Sequence, residues 1–322
     1  MTYSAALPQT ARAVRFDRYG TRDVLQVREV PMPRPSASEV LVEVRAAGIN
    51  PGEVIIRSGG LHDRYPATFP SGEGTDLAGV VVATGSDVTR FDIGDAVLGY
   101  SWARSSHASH VVVPEYQLIA KPEQLAWEVA GALDVAGTTA VAAVRAIAAH
   151  PGEVIAVSGA SGGVGTLVTQ LLVRQGALVL GIASTASAER LSAHGAAPVP
   201  YGPDLADRLL AAGGGNVDAF IDLYGPEYLH LAIDLGITPD RIDTVVYSDA
   251  AVALGIRMAG AASLPDQEIP EVLQALADLL AAGELELPIA ATFPLERVID
   301  AFEQLEHGHT PGKIVLIPHQ KN

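Results

Sequence analysis

Twenty consecutive positions, Val154–Val173 (VIAVSGASGGVGTLVTQLLV), carry no charge, and that is the length of a membrane-spanning helix. Ser158, Gly159, Ser161, Gly162, Gly163 and Gly165 interrupt the run in its middle. Glycine at that density breaks a helix, so the segment reads as an apolar strand, a glycine turn and a helix. The turn, Ala160-Ser161-Gly162-Gly163-Val164-Gly165, has G-x-G-x-x-G spacing with alanine in the first position. Such a turn lets backbone amides approach a pyrophosphate and aims a helix N-terminus at it, so these six residues are expected to bind a dinucleotide.

The chain around the turn has the matching rhythm. Strands are expected at 153–159, 177–184, 197–201 and 217–224, with helices at 163–175, 186–194, 203–212 and 227–235 between and after them, the alternation of a parallel sheet. A fifth strand at 241–247 and a sixth at 252–258 (VALGIRM, after Ala251) bring the sheet to about six strands. Up to about Leu125 the pattern differs: short strands at 12–16, 40–49, 78–84 and 109–114 alternate with turns such as PMPRPS, NPGE and FPSGEG. That region is expected to be β-rich and partly barrel-like. A long Ala-rich helical run covers Trp127–His150, and a helix at 269–283, another starting near Pro294 and a strand at 312–318 close the chain.

Composition removes whole classes of function. With 21 Lys+Arg against 37 Asp+Glu the net charge is −16, which repels a phosphate backbone, so nucleic acid is not an expected partner. A 48% hydrophobic and 18% charged chain folds rather than staying disordered. There is no cysteine, so disulfides, thiolate nucleophiles and thiolate metal sites are all excluded. No Lys or Arg precedes Arg12, and no signal-peptide apolar core follows. The expected location is cytoplasmic, with no membrane partner.

The residue that ends the second strand, about 20 positions past the turn, selects between nicotinamide cofactors: an acid there binds the ribose 2′-hydroxyl of NAD. Here the chain reads GIASTASAER, with Ser184 and Thr185 at that place and no carboxylate before Glu189. A 2′-phosphate meets no repulsion there, and Arg190 and Tyr201 can supply a positive charge and a hydrogen-bond donor. NADPH is the expected cofactor.

The GINPGE loop, the string FPSGEGTDLAGVVVATGSDVTRFDIGDAVLG and the turn SGASGGVG, in that order over a β-rich first half, resemble the medium-chain dehydrogenase/reductase superfamily, nearest its zinc-independent quinone oxidoreductases. The resemblance runs from about Ala13 to Pro318. It implies an α/β fold in which a doubly wound Rossmann sheet is inserted in a β-rich, GroES-like catalytic domain. The expected boundaries are 1–128 and 266–322 for the catalytic domain and 129–265 for the NADPH-binding one. Zinc alcohol dehydrogenases of the superfamily hold their metal at positions that here read Asn50, Thr75 and Asp134 or Val135. Of these only Asp134 is a zinc ligand, so no metal is expected. The hydride acceptor must then be activated by conjugation, as a quinone or an α,β-unsaturated carbonyl is.

The resemblance also implies site residues. Asn50 takes the place of a family asparagine whose amide stabilises developing oxyanion charge; as the residue before Pro51, it also has the chemistry of a local turn cap. Thr139 aligns with a threonine at the nicotinamide end, or bonds back to its own helix. Tyrosines that follow the asparagine loop in relatives are replaced here by Ile55 and Leu61, leaving His62, Tyr65 and Trp102 as nearby loop residues. His107 is a candidate proton donor to a product enolate. His107 and His110 are not expected to share a metal, and His307 and His309 read as solvated. The replaced tyrosines keep open a second function, a cofactor-binding structural or regulatory protein with little turnover. A homodimer is expected, paired through the apolar sixth strand at the edge of the parallel sheet.

Overall fold

The computed structural model describes residues 2–3, 7–308 and 310–319, so His309 lies outside the described residues. The chain forms two units: one holds the residues up to Val135 with Leu273–Glu284 and the chain from Ile289 on, and the other holds Ala136–Val272 with Leu285–Pro288.

The second unit is a parallel sheet. Its strands are β1 (Val154–Val157), β2 (Leu178–Ala183), β3 (Ala197–Pro200), β4 (Ala219–Asp222) and β5 (Ile242–Thr244). They lie side by side in the order β3-β2-β1-β4-β5, so strand order reverses between β1 and β4, and the crevice at their carboxyl ends is where such sheets bind ligands. Ala156, Leu180, Val199, Phe220 and Ile242 are buried in its core together with Leu209 and Leu229 from the covering helices.

The expected sixth strand is not formed. Asp249–Leu254 is a helix, capped by Ser248 Oγ accepting the Ala251 N–H (3.2 Å) and closed by Gly255 in the left-handed region (φ 66°). A serine N-cap and a glycine C-cap around the six residues of Asp249–Leu254 outweigh the weak strand pattern. Only Arg257 reaches the sheet, through a single parallel bridge to Asp243. The sheet therefore has five strands, and Ile256 packs into the core rather than on an open edge.

The first unit is mainly antiparallel. Its largest sheet runs Ile289–Pro294, Lys313–Ile317, Glu39–Gly48, Asp76–Thr84, Ala96–Tyr100 and Leu118–Ala120, with His110–Pro114 paired to Glu39–Gly48 off that path. The helical run expected over Trp127–His150 is split into Trp127–Ala130 and Leu133–Ala146. Gly131 makes the break, because its carbonyl accepts the Gly48 N–H (2.7 Å) and a side chain on it would sit 2.4 Å from the Ala46 carbonyl oxygen. Arg57 anchors the helix Pro51–Ser58: fully buried, it donates to Glu73 (2.7 Å) and Glu306 (3.3 Å) and stacks over Phe302. Among the described residues no helix is long and apolar enough to cross a membrane.

One buried acid sets a pH dependence. Asp243 accepts the Ala259 N–H at 2.9 Å through Oδ1, while its buried Oδ2 has no partner. Burial pushes its carboxyl up to about 8, so the folded chain holds a proton that the unfolded chain releases near 4. This contribution to stability is complete below that lower value and is lost as pH rises through about 8. Asp243→Asn is expected to flatten the fall in Tm between roughly pH 4 and 8. Thermal unfolding across that range checks it, and a slope as steep as wild type would refute the assignment.

Candidate active site

In the second unit the glycine turn joins β1 to the helix Gly163–Arg174. Gly159 leaves the strand in the left-handed region (φ 59°), which glycine adopts without strain. Ala160 is buried, and its methyl group fits where the motif more often has glycine. Gly162 is the helix N-cap and offers no side chain to cap it, so the first-turn N–H groups keep their capacity for an anion. A Cβ on Gly162 would meet only the Gly159 oxygen, at 3.4 Å, whereas one on Gly165 would lie 2.2 Å from that same oxygen. The first glycine keeps an open cradle, and the second lets the helix pack against the turn. Ser161, Gly163 and Val164 complete the turn, half-buried.

The other cofactor candidates gather at the same carboxyl edge. Ser184, just past β2, has its hydroxyl 3.3 Å from Ser187 Oγ, and Thr185 opens an exposed helical turn. The Tyr201 N–H donates to the Ala183 oxygen at 3.3 Å, which sets this exposed tyrosine beside the end of β2. Arg190 donates to the Ser161 oxygen at 3.3 Å, against the turn, with its Nε unpartnered. A phosphate fits this set, which offers uncapped amides, hydroxyls and a guanidinium without a carboxylate.

Sequence reading missed the acid that braces this edge. Asp222, at the end of β4, accepts from Ser158 Oγ (2.6 Å), Thr244 Oγ1 (2.8 Å) and the N–H groups of Tyr224 and Gly225 (both 3.1 Å). It therefore ties together the ends of β1, β4 and β5 at the reversal of strand order. Burial raises its pKa, and the Ser158 and Thr244 hydroxyls oppose that rise.

In the first unit Asn50 is the N-cap of Pro51–Ser58, and Glu53 accepts its backbone N–H at 3.0 Å. The Asn-x-x-Glu spacing is a helix-start signal that could have identified Glu53. The Asn50 side chain, 4% exposed, donates through Nδ2 to Glu53 (3.3 Å) and Asp76 (3.2 Å) and accepts from Lys313. Lys313 also donates to the Ile49 oxygen (3.3 Å) and to Asp76 (3.1 Å), whose other oxygen accepts the Val135 N–H (2.9 Å). Asp134 is buried beside this group. Desolvation first, then the Asp76 charge, raises its pKa well above the usual carboxylate range, against the pull of Lys313.

Thr139 is buried in Leu133–Ala146 and belongs to the second unit, while Asn50 belongs to the first. His107, expected as a proton donor, is fully enclosed, with Nε2 3.0 Å from the Gly48 oxygen. His62 bonds Tyr19 (2.7 Å), and Trp102 packs edge-on against Tyr100. His307 is exposed at the end of its helix.

Two family models match the chain: an alcohol dehydrogenase GroES-like domain over residues 36–146 and a zinc-binding dehydrogenase over residues 194–316. A quinone oxidoreductase of Pseudomonas aeruginosa is 30% identical, covering 96% of this chain and all (100%) of the relative. A 2-methylene-furan-3-one reductase of Solanum lycopersicum is also 30% identical, over 98% of this chain and 81% of its own length. Among solved structures, Escherichia coli quinone oxidoreductase complexed with NADPH superposes with a TM-score of 0.85 at 27% identity, over 95% of this chain and 100% of that one. The first unit contains a GroES-like domain, and the parallel sheet of the second is Rossmann-like.

The zinc in the name of the second model does not fit these residues. The Asn50 oxygen and an Asp76 oxygen already hold the Lys313 ammonium, a charge that repels a second cation. Among the described residues no group of three or more His, Asp or Glu side chains is placed to hold a metal.

Proposed function

The chain belongs to the quinone oxidoreductase family of the medium-chain dehydrogenase/reductase superfamily, and from that premise we propose that it transfers hydride from NADPH to a quinone or an α,β-unsaturated carbonyl. The observation that carries this reading is the uncapped helix start at Gly162 beside a β2 end without a carboxylate. In this reading Ala160 to Gly165 hold the pyrophosphate, while Ser184, Thr185, Arg190 and Tyr201 receive the 2′-phosphate. Thr139 contacts the nicotinamide end. Bound nicotinamide supplies the hydride. Asn50 donates to the acceptor oxygen as charge develops on it, exchanging one of its two long bonds to carboxylates for a bond to the substrate. Both partners of the amide nitrogen lie beyond 3.1 Å, long for N–H···O bonds, so the exchange gives up little.

Steady-state oxidation of NADPH and NADH with a panel of quinones, enones and enoyl thioesters tests the reading. NADPH is expected to bind at least about tenfold more tightly than NADH, the difference of one charge-assisted contact to the 2′-phosphate. Equal or inverted affinities would refute the roles given to Arg190 and Tyr201. Tight NADPH binding with no acceptor turned over would favour the second reading, a cofactor-binding regulatory protein, which the replacement of the family tyrosines by Ile55 and Leu61 supports.

The proposed location is cytoplasmic and the proposed assembly a homodimer. The dimer is proposed on the resemblance to quinone oxidoreductases and not on the sheet edge, because Ile242, Asp243 and Thr244 of β5 are buried within the chain and Arg257 and Ala259 bond to that strand. Light scattering at micromolar concentration is expected to give twice 33.4 kDa; the monomer mass would refute the dimer.

A further inference from the structure

Strand Lys313–Ile317 runs antiparallel to Glu39–Gly48 with Val315 opposite Gly48 and Leu316 opposite Ala47. Carried two residues on, that register sets Lys313 opposite Asn50. The side chain is 6% exposed, and its ammonium donates to Asn50 Oδ1, the Ile49 oxygen and Asp76 Oδ2. Ile314, Val315 and Leu316 beside it are buried apolar residues. Apolar residues in place of both Lys313 and Asp76 would suit that setting, because desolvating the two charges is costly and a buried ion pair seldom returns more than it costs. Stability alone therefore does not account for a lysine here.

We infer that Lys313 is a positioning residue that orients and polarises the Asn50 amide, so that its Nδ2 faces the place where an acceptor oxygen gains charge. The two ends of an asparagine amide have nearly the same shape, and hydrogen bonds alone decide which end points where. An ammonium on Oδ1 and carboxylates on Nδ2 satisfy the donors and acceptors in one orientation only. A positive charge on the amide oxygen also draws electron density from the nitrogen and strengthens its N–H groups as donors. Asp76 completes the device: it holds the ammonium at Oδ2 and accepts the Val135 N–H at Oδ1. The inference rests on the role proposed for Asn50 above.

The test compares Asp76→Asn/Lys313→Met with Asp76→Asn alone in the full chain, using NADPH and a quinone that the wild-type chain reduces. Removing both charges avoids stranding the Asp76 carboxylate. Loss of Lys313 is expected to lower kcat at least about tenfold, with KM for the quinone and Kd for NADPH within about twofold. Added to an Asn50→Ala background, the same pair of changes is expected to lower kcat by less than about twofold, because residues that act through one group are not additive. Losses that multiply in that background, or that appear in KM or NADPH affinity instead of kcat, would overturn the inference. Unchanged kcat on loss of Lys313, with Asn50→Ala impaired, would overturn it while leaving the role of Asn50 intact. Unchanged kcat in Asn50→Ala would remove the reading beneath both. If the double variant does not fold, Lys313→Gln, which still donates to Asn50 Oδ1 without the charge, takes its place, and wild-type kcat in it refutes polarisation.

Discussion

Gly162→Val is expected to weaken NADPH binding by about a hundredfold or more while the chain stays folded. The estimate follows from the loss of two or more charge-assisted bonds to the pyrophosphate, each worth roughly 1.5–3 kcal/mol. The fold should tolerate the change, because a Cβ there meets only the Gly159 oxygen, at 3.4 Å, and the N-cap already has extended backbone (ψ 179°). Valine branches occupy the open side of the turn, where the phosphate oxygens would lie. Gly165→Ala makes the contrasting control: its Cβ would press on backbone at 2.2 Å, so it should lower Tm. Calorimetric titration with NADPH, paired with thermal unfolding, separates the two effects. Unchanged affinity in a folded Gly162→Val protein would sink the assignment of the turn.

Asn50→Ala is expected to lower kcat by roughly tenfold to several hundredfold while raising KM much less. A donor whose bond strengthens as the acceptor gains charge acts in the transition state rather than in binding. The helix start should survive, since Glu53 caps it through the Asn50 backbone N–H, which alanine retains. Lys313 loses one acceptor but keeps Ile49 and Asp76. Steady-state kinetics with a quinone, checked by circular dichroism, measures the split. Wild-type kcat would leave Asn50 as a turn cap and nothing more.

The parallel sheet was legible because its signals are local: apolar strands, the glycine turn and helices of regular spacing are all read within short windows. The strand expected at 252–258 fails for a local reason too: the Ser248 and Gly255 caps, not the apolar run, decide the conformation of Asp249–Leu254. The buried group around Asn50 was legible only in part. Asn50 stands out by resemblance, and the Asn-x-x-Glu spacing could have pointed to Glu53, but Lys313 reads as an ordinary charged residue at the start of a strand. Its meaning comes from Asp76 and Asn50, which lie 237 and 263 positions away in the chain. Asp222 shows the same limit: its burial depends on Ser158, 64 residues earlier. No periodicity encodes such pairings, which follow from sheet order and register.

That separation along the chain has a consequence for synthesis. Asn50, Glu53, Asp76 and Asp134 leave the ribosome before the strand that brings Lys313 has been made. At roughly 5–20 residues per second, the 237 positions between Asp76 and Lys313 take about ten to fifty seconds to make. Throughout that interval the nascent chain lacks the ammonium that joins these residues in the complete fold, so the acids stay hydrated or bind protons until it arrives. The strand Lys313–Ile317 supplies both the missing neighbour of Glu39–Gly48 and the missing charge in one step. Closure of this sheet and completion of the Asn50 environment are therefore a single late event in the birth of the molecule.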